Sequence, residues 1–376
     1  MKFNKLTTSV ASLSLAVAIV VPAFTATVAT AAVKNAATAT SAKDMGGLKA
    51  LEAACKKEGQ LNIIADPHDW ANYGEIIDGF KAKYKVKIDE ANPNGSSQDE
   101  INAANQLRGT KRAPDVFDLG QAVAYANLNM FAAYKVLSWN SIPAALKHPS
   151  GFLTKDYGGF MSIGYDASLG TITSLDDLLK PEFAGKVALN GDPTTAQAGM
   201  NGVIMASIVN GGSLKDISKG VAWFKKLKDA GNFINVDPTP ATIASGQTPV
   251  VFDWDYLHAA QAVKLAEKGI TWKIFIPSGV ALGAFYHQAV NINAPHPACA
   301  RVWMEYLFSP VGQNAFLKGG ARPVLADAMV KAGTINKKLF AALPVVKGTP
   351  QIASVEQTKS ANDYLKANWT AAVGTR

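Results

Sequence analysis

The stretch TPVVFDWDYLHAAQAVKLAEKG, residues 248–269, joins a short apolar run to an amphipathic segment. Residues 250–252 are typical of the end of a buried strand, and residues 256–269 have the spacing of an amphipathic helix. Asp, Trp, Asp and Tyr at positions 253–256 stand between the two. A strand followed directly by a helix is the unit from which α/β folds are built.

The same alternation continues in both directions along the chain. Upstream, the strand LNIIA separates helices over GGLKALEAACKKEGQ and WANYGEIIDGFKAKY, and the strands KVKIDEA and APDVFDLG flank a helix over SSQDEINAANQLR. Downstream, GKVALNGDP, WKIFIP and AFYHQAVNIN have strand character, and HPACARVWMEYLFSPVGQNAFLKGG supplies two late helices. Strands separated by helices at this spacing predict a parallel sheet covered on both faces.

The composition is that of a globular protein with a sizeable core. The chain has 376 residues, which favours more than one folding unit, and 48% of them are apolar. The net charge is +8, but the lysines lie on helix faces such as FKKLKDA and not in a long basic run. We therefore expect no nucleic-acid partner.

The N-terminus is typical of a targeting signal. The lysines of MKFNK precede the apolar run LSLAVAIVVPAF, which is too short to span a bilayer. Residues 29–31, Ala-Thr-Ala, have the small-residue form that a signal peptidase cleaves. We predict a secretory signal peptide over 1–31, a flexible leader over 32–43, and export to the periplasm or the extracellular face of the cell membrane.

The chain contains two cysteines, Cys55 and Cys299. In an exported protein they could form a disulfide bond, or they could be two isolated buried thiols. The sequence leaves both alternatives open, because a disulfide requires a short Cα separation that the sequence does not give. Two cysteines are too few for a cysteine-based metal cage.

Motifs for catalysis are missing from the sequence. It has no Gly-x-Ser-x-Gly, no His-Glu-x-x-His and no phosphate-binding P-loop, and its five histidines lack metal-ligand spacing. A carboxylate pair for glycoside chemistry stays open, although nothing singles out a pair. We therefore expect a binding protein without cofactor or resident metal, and an exported hydrolase is the alternative.

Acidic and aromatic residues gather where the predicted strands end, and neither arginine nor lysine accompanies them. In open α/β sheets, ligands bind outside the carboxyl ends of the strands. A protonated amine suits such a site, because a carboxylate gives a charge-assisted hydrogen bond and a ring face adds roughly 0.5–2 kcal/mol. The candidate ligand-binding residues are Asp66, Asp69, Trp70, Asp192, Thr194, Asp253, Trp254, Asp255 and Tyr256.

Several of these candidates also have a purely structural interpretation. Alternation along a strand sends Asp253 and Asp255 to one side and Trp254 to the other, so all can face a ligand only if the strand has ended. Otherwise Trp254 belongs to the core and Asp255 caps the next helix. Thr194 could likewise cap a helix, or hold an anion such as a phosphonate, a phosphate ester or carbonate together with free backbone amides.

Four segments, taken in order, resemble the extracellular solute-binding proteins of ABC importers. They are AACKKEGQLNIIADPHDWANYGEIIDGFKAKY, GSSQDEINAANQLRGTKRAPDVFDLG, GYDASLGTITSLDDLLKPEFAGKVAL and HPACARVWMEYLFSPVGQNAFLKGGARPV. The branch that they resemble handles spermidine and putrescine, ferric iron, thiamine and aminoethylphosphonate. The resemblance implies a two-lobed α/β fold of the periplasmic-binding-protein type, with type II connectivity and a ligand cleft between the lobes. Lobe 1 would hold 44–157 plus 284–376, and lobe 2 would hold 158–283.

The resemblance also implies partners and a ligand. A small solute would bind in the cleft of a monomer, and an ABC permease in the membrane would recognise the closed form. Ferric-binding members present adjacent tyrosines, whereas this sequence has no Tyr-Tyr pair. We therefore expect a polyamine such as putrescine or spermidine, with ferric iron and phosphonate-type or thiamine-type ligands as alternatives. Residue types that match the polyamine-binding members stand at Asp66, Trp70, Asp118, Asp192, Trp254, Asp255 and Tyr286.

Overall fold

Helices and strands alternate along most of the chain. The computed structural model describes Met1, residues 35–343, residue 346 and residues 348–374, so the predicted signal peptide lies outside the described residues except for Met1. The strands are β1 Gln60–Ile64, β2 Lys87–Ala91, β3 Val116–Leu119, β4 Phe131–Ala132, β5 Thr154–Asp166, β6 Val187–Leu189, β7 Val250–Trp254, β8 Trp272–Phe275, β9 Leu282–Asn291, β10 Arg322–Pro323 and β11 Gln351–Ile352.

The helices include most of those predicted from the apolar periodicity. None of the described helices is long and apolar enough to cross a membrane. The α-helices are α1 Leu48–Glu58, α2 Tyr73–Tyr84, α3 Ser97–Gln106, α4 Gln121–Ala126, α5 Gln197–Val209, α6 Ser218–Asp229, α7 Pro240–Ala244, α8 Asp255–Ala266, α9 Pro297–Leu307, α10 Pro310–Lys318, α11 Ala326–Ala332, α12 Lys337–Ala341 and α13 Val355–Val373.

The main sheet is mixed, which corrects the prediction of a parallel sheet. Strands β6 and β7 pair in parallel, as do β9 and β11, and β1 and β2 form a separate parallel pair. The long strands β5 and β9 run antiparallel to each other, and β3 and β4 also pair antiparallel with β9. The pairings of β5 with β9, and of β9 with β3 and β4, therefore do not need the crossover connection that a parallel pairing requires.

Strand β5 changes partners along its length. Residues 154–160 pair with β9, whereas residues 161–166 pair with β7 and β8. The predicted lobe boundary between 157 and 158 falls inside this strand, and the boundary between 283 and 284 falls near the start of β9. The assignment of these segments to two lobes stays a prediction.

The segment before α1 is packed against the body of the protein. Ala36–Thr38 and Ala42–Met45 are 3-10 turns. Buried Arg301 of α9 donates from Nε to the carbonyl of Ala39 at 2.8 Å and from Nη2 to that of Ala37 at 3.0 Å. The sequence predicts a flexible leader over 32–43, but the structure holds its described part against α9. The buried Arg301 guanidinium needs acceptors for its N–H groups, and the carbonyls of this segment supply them.

A disulfide bond joins Cys55 of α1 to Cys299 of α9 across 244 residues of sequence, with a Cα separation of 4.3 Å. The same helices meet at a second point, where the Glu58 carboxylate accepts the N–H groups of Ala298 and Cys299 at 3.0 and 2.8 Å. A carboxylate at this position complements the unpaired amides of a helix N-terminus. The structure thus decides between the two alternatives for the cysteines.

Candidate ligand-binding site

A cavity of about 360 Å³ lies where several strands end. Strand β1 leads into its wall through Ala65, β3 contributes Asp118, β6 is followed by Asn190, and β7 contributes Asp253. The first turns of α3, α5 and α7 and one face of α8 complete the wall. This is the position at which open α/β sheets bind their ligands.

Acidic side chains dominate the cavity wall. Seven carboxyl side chains face one lysine, Lys264 of α8, among the described lining residues. His258 also lines the cavity, but burial lowers the pKa of its imidazole to about 3, so this ring is neutral. The acidic lining residues are Asp69, Asp99, Glu100, Asp118, Asp192, Asp237 and Asp253.

Asp118 is a buried carboxyl group whose hydrogen-bond donors among the described residues are two neutral phenols. Its Oδ2 accepts hydrogen bonds from the hydroxyls of Tyr157 at 2.6 Å and Tyr73 at 3.0 Å. Its Oδ1 has no partner among the described residues. Burial raises the pKa of Asp118 to about 7, although both phenol hydrogen bonds lower it. The Asp118 carboxylate is therefore costly to ionise until a cation reaches it.

Two further carboxyl groups lie against Asp118. Asp66, in the loop after β1, is 5% exposed, and its Oδ1 has no partner among the described residues. Glu100 of α3 accepts the backbone N–H of Asp118 at 2.9 Å. Burial raises the pKa of both groups well above the usual range, and the charge of Asp118 raises each further. The described residues nevertheless provide no metal site built from three or more histidine, cysteine or acidic side chains.

Asp253, at the end of β7, is another buried carboxyl group of the wall. Its Oδ2 accepts a hydrogen bond from Asn190 Nδ2 at 2.7 Å, and its Oδ1 accepts one from the backbone N–H of Trp254 at 2.8 Å. Burial raises the pKa of Asp253 to about 7, and these two hydrogen bonds lower it. Like Asp118, Asp253 receives hydrogen bonds only from neutral donors.

Two aromatic rings complete this part of the wall. Trp70 and Tyr286 both line the cavity, and their rings meet edge to face with centroids 5.6 Å apart. Trp70 Nε1 donates to the Tyr157 hydroxyl at 2.7 Å, and the Tyr157 ring stacks on Tyr286 at 5.6 Å. This contact network fixes the two rings beside the acidic groups, where a ring face can receive a cation.

The structure brings six of the eleven predicted site residues onto one wall. Asp66 does not line the cavity, but its carboxyl group interacts electrostatically with Asp118, which does. Thr194 lies in a smaller neighbouring pocket and donates from its backbone and hydroxyl to Asp192 Oδ1 at 2.8 and 2.7 Å, while Ala196 is the cap of α5. The six residues on the wall are Asp69, Trp70, Asp118, Asp192, Asp253 and Tyr286.

The lining of this cavity does not include Trp254, Asp255 or Tyr256. The hypothesis from the sequence is that these residues face a ligand. Strand β7 ends at Trp254 and α8 begins at Asp255, so the backbone direction changes between them. Trp254 is 1% exposed and donates from Nε1 to the Tyr286 hydroxyl at 3.4 Å. Tyr256 is buried as well, and its hydroxyl has no partner among the described residues.

An arginine inside the protein balances the charge of Asp255. Its Oδ2 accepts Nη1 of Arg322 at 2.8 Å. Its Oδ1 accepts the backbone N–H groups of Phe160 at 2.9 Å and Tyr256 at 3.0 Å. The structural interpretation holds for Trp254, which packs in the core, but not for Asp255 as a cap: Trp254 is the N-cap residue of α8 without a side-chain cap hydrogen bond, and Asp255 is the first residue of the helix.

Some residues of the wall escaped the sequence analysis. Glu100 lies in the first turn of α3, where an acid is explained equally well by the helix dipole. Gln197, the first residue of α5, accepts the backbone N–H of Gln121 at 2.7 Å and donates to the carbonyl of Phe285 at 3.1 Å. No sequence signal distinguishes Gln197 from any other polar residue at a helix start.

The fold and this cavity define a two-lobed solute-binding protein. Residues 115–343, more than half of the chain, match the family model described as bacterial extracellular solute-binding protein, and the chain belongs to that family. It is the substrate-binding component of an ABC transporter, exported to the periplasm or the extracellular face of the cell membrane, where such proteins bind small solutes and deliver them to a permease.

Solved periplasmic binding proteins share the fold at low sequence identity. AfuA from Actinobacillus pleuropneumoniae, with exogenous fructose-6-phosphate bound, has a TM-score of 0.64 and 17% identity over 85% of this chain and 99% of its own. The ferric binding protein from Campylobacter jejuni has a TM-score of 0.61 and 18% identity over 84% of this chain and 100% of its own. Iron-bound HitA from Pseudomonas aeruginosa has a TM-score of 0.59 and 16% identity over 84% of this chain and 99% of its own. These similarities show the two-lobed α/β fold with its cleft.

Proposed function

We propose that the protein captures an organic cation, a polyamine such as putrescine or spermidine, for import. The observation that carries this proposal is the cavity wall, where seven carboxyl side chains face one lysine among the described lining residues. An excess of one charge in a cleft concentrates ligands of the opposite charge. The overall positive charge of the chain does not decide this, because the local field of the cleft dominates at short range.

Asp118 supplies the strongest single attraction for an ammonium group. Its Oδ1 lacks a hydrogen-bond donor among the described residues, and its Oδ2 receives only neutral phenols. A hydrogen bond to a charged group contributes about 1.5–3 kcal/mol. The rings of Trp70 and Tyr286 lie beside it and can add a cation–π contact.

Two separate carboxyl groups favour a ligand with more than one amine. Asp118 on β3 and Asp253 on β7 both line the cavity, and both are buried with neutral donors only. A diamine or triamine could place one ammonium at each, with its methylene chain against Trp70 and Leu257. The cavity volume of about 360 Å³ lies at the small end of the usual range for ligand sites.

The tyrosines of this site argue against ferric iron, the ligand of some structural neighbours. Burial raises the pKa of Tyr286 well above the usual range, and the charges of Asp118 and Asp253 raise it further. Tyr73 and Tyr157 use their protons as hydrogen-bond donors to Asp118. Phenolate ligation of iron would require tyrosines whose ionised form is stabilised, and this environment opposes ionisation.

A ligand with an anionic group is the second candidate, and one specific feature favours it. Helix α5 begins at Gln197 after an Ala196 cap that provides no side-chain hydrogen bond. Thr195, Ala196, Gln197 and Ala198 all line the cavity. The exposed amides of a helix N-terminus bind phosphate and phosphonate groups. This feature suits a phosphonate-type ligand.

Isothermal titration of the mature protein distinguishes these candidates. The ligands are putrescine, spermidine, ferric citrate, thiamine, aminoethylphosphonate and fructose-6-phosphate. We expect heat from the two polyamines, and loss of that heat in Asp118→Asn but not in Asp229→Asn, which removes an exposed carboxylate paired with Lys225 on α6. Binding of an anionic ligand alone would overturn the proposal.

A further inference from the structure

Behind the cavity wall, a row of polar side chains crosses three strands. In the strand register, Gln288 of β9 lies opposite Asp118 of β3 on one side and opposite Thr154 of β5 on the other. Side chains that lie opposite each other on neighbouring strands share one face of a sheet. Asp156, two residues after Thr154, approaches the same group from β5: the Gln288 amide interacts with its carboxyl group as a donor, which lowers the pKa of Asp156, although burial raises that pKa well above the usual range overall.

This row contains several oxygen atoms without a hydrogen-bond donor. Gln288 Nε2 donates to the Tyr73 hydroxyl at 2.7 Å, and that hydroxyl in turn donates to Asp118, so the Gln288 amide group is held with its Oε1 left over. All four residues of the row are buried. The oxygens without a partner among the described residues are Gln288 Oε1, Thr154 Oγ1, Asp156 Oδ2 and Asp118 Oδ1.

Protonation of the carboxyl groups relieves this shortage of hydrogen-bond donors. A buried carboxylate oxygen or amide oxygen without a donor has lost its hydrogen bonds to water. A protonated carboxyl group carries a donor of its own and needs fewer donors from the protein, which suits Asp156 and Asp118, each of which has one oxygen without a partner among the described residues. The chemistry of the row therefore favours carboxyl groups that keep their protons while the cavity is empty.

We propose that the buried carboxyl groups of Asp118, Asp66, Glu100 and Asp156 hold protons in the ligand-free protein, and that capture of a cationic ligand at Asp118 releases about one of them. This inference rests on the proposed function, because it requires a ligand cation at that wall. Solute capture is then an exchange of protons for an ammonium group, and acid weakens it.

Within the described part of the chain, the titratable groups that interact with these four carboxyls are phenols and other carboxyl groups. Tyr73 comes from α2, Tyr157 from β5, Tyr256 from α8 and Tyr286 from β9, and all four phenols are buried with raised pKa values. From the neighbouring elements, the carboxyls of Asp99 on α3 and Asp253 on β7 only add negative charge.

The nearest basic groups are engaged elsewhere. Glu90 of β2 raises the pKa of Asp66, but Glu90 itself is paired with Lys81 at 2.9 Å and with His68 at 2.6 Å. At the cavity wall, Lys264 lies 4.0 Å from Asp69. Lys81 and Lys264 each have an acidic partner. Lys155 precedes Asp156 on β5, so strand alternation sends it to the opposite face, where its ammonium lies 5.8 Å from the centroid of the Phe285 ring.

The sign of the pH dependence follows from the direction of the pKa shifts. Burial raises the pKa of all four carboxyls, to about 7 for Asp118, so the folded protein binds these protons more tightly than the unfolded chain does. Their contribution to stability is therefore full below the unfolded pKa of roughly 4 and declines as the pH rises towards 7. Ligand affinity changes in the opposite sense and rises with pH over the same range.

Titration of the wild type with putrescine at pH 6.5, in two buffers of different ionisation enthalpy, counts the released protons. We expect about one proton per ligand, and an affinity that falls by up to about tenfold for each pH unit below 7, as for a one-proton exchange. The amines of putrescine stay charged throughout, because alkylammonium groups have pKa values of roughly 10.

Asp156→Asn tests the network without touching the cavity wall. The amide can still accept the backbone N–H of Tyr157, as Oδ1 does at 2.8 Å, and it cannot ionise. With one acid fewer, Asp118 ionises more easily, so we expect fewer released protons and an affinity profile displaced to lower pH. Asp229→Asn, an exposed carboxylate on α6, should leave both quantities unchanged.

The possible failures are distinguishable. If no polyamine binds the wild type at any pH, the proposed function fails. If a polyamine binds with no proton release and equal affinity from pH 5 to 8, the proton exchange is overturned and the proposed function stands. Should Asp156→Asn not fold, the wild-type proton count and the fall of the ligand-free melting temperature between pH 5 and 7 decide the inference without it.

Discussion

Asp118 and Asp255 are both buried aspartates near the end of a strand, yet they differ in what neutralises them. Asp255 accepts an arginine and two backbone N–H groups, so both of its oxygens are satisfied. Asp118 accepts two phenols on one oxygen, and the other has no partner among the described residues. A buried carboxylate with its own cation serves the fold, whereas one without a cation is available to a ligand.

Removal of the Asp255 carboxylate should give the largest effect, on stability. Asp255→Ala leaves Arg322 and the backbone N–H of Phe160 without this acceptor. Loss of one partner of a buried ion pair costs about 3–5 kcal/mol of unfolding free energy. Urea unfolding at pH 7 measures this change. A loss below about 1 kcal/mol would contradict the structural role of Asp255, since that is the range of an exposed ion pair.

Asp118→Asn should show the opposite behaviour. The amide keeps the acceptor for Tyr73 and Tyr157 and removes a carboxyl group that burial disfavours, so stability at pH 7 should hold or increase. Putrescine affinity should fall by about 30- to 100-fold, which corresponds to the roughly 2–3 kcal/mol of a lost charged hydrogen bond. Calorimetric titration and urea unfolding of the same preparation separate the two effects. Equal affinities of Asp118→Asn and the wild type would remove Asp118 from the site.

Much of the fold was predictable because apolar periodicity decides local structure. The helices α1, α3, α8 and α9 and the strands β1, β3 and β7 lie where the pattern placed them. Strand β5 was missed because its sequence TKDYGGFMSIGYD contains three glycines and several polar residues, and its pairing with β9 and β7 is set by distant chain segments. Helix α13 was missed because its mixed composition presents only a weak apolar face.

The candidate site was predictable in residue type more than in position. The acids and rings that the sequence analysis selected at strand ends include Asp69, Trp70 and Asp253, which line the cavity; their contact with a ligand stays a prediction. Whether Asp253 or Asp255 faces the cavity depends on the single residue at which β7 becomes α8, and sequence patterns place such boundaries only within a few residues. The partner of Asp255, Arg322, lies 67 residues away, and no local pattern identifies it.

Two tryptophans show the same contrast between a residue of the cavity wall and a residue of the core, with a smaller expected effect. Trp70 lines the cavity beside Asp118, whereas Trp254 is buried beneath it. Trp70→Ala should weaken putrescine binding by about 5- to 30-fold, through loss of a cation–π contact of roughly 1–2 kcal/mol. Trp254→Phe keeps an aromatic ring in the core and loses only a 3.4 Å hydrogen bond to Tyr286, so affinity should change less than twofold.

The tryptophan comparison is checked by titration of both variants after thermal unfolding has established that each is folded. A Trp254→Phe variant that loses affinity as strongly as Trp70→Ala would show that buried and exposed positions contribute alike. In that case the available surface of a residue would not be what distinguishes a ligand contact from a core contact at this site.

The smallest effect is expected at Lys264, the single lysine among the described lining residues. Its ammonium lies 4.0 Å from Asp69, and both side chains are partly exposed. Lys264→Gln removes a charge that repels a cationic ligand, so putrescine affinity should rise by about two- to fivefold, as expected for less than about 1 kcal/mol in a partly solvated site. The gain should disappear at high salt, because exposed charges are screened. Lys225→Gln, a surface lysine paired with Asp229, should leave affinity unchanged. Weaker binding in Lys264→Gln would mean that the lysine contacts an anionic group of the ligand, and it would favour the second candidate, in which the N-terminus of α5 holds that group.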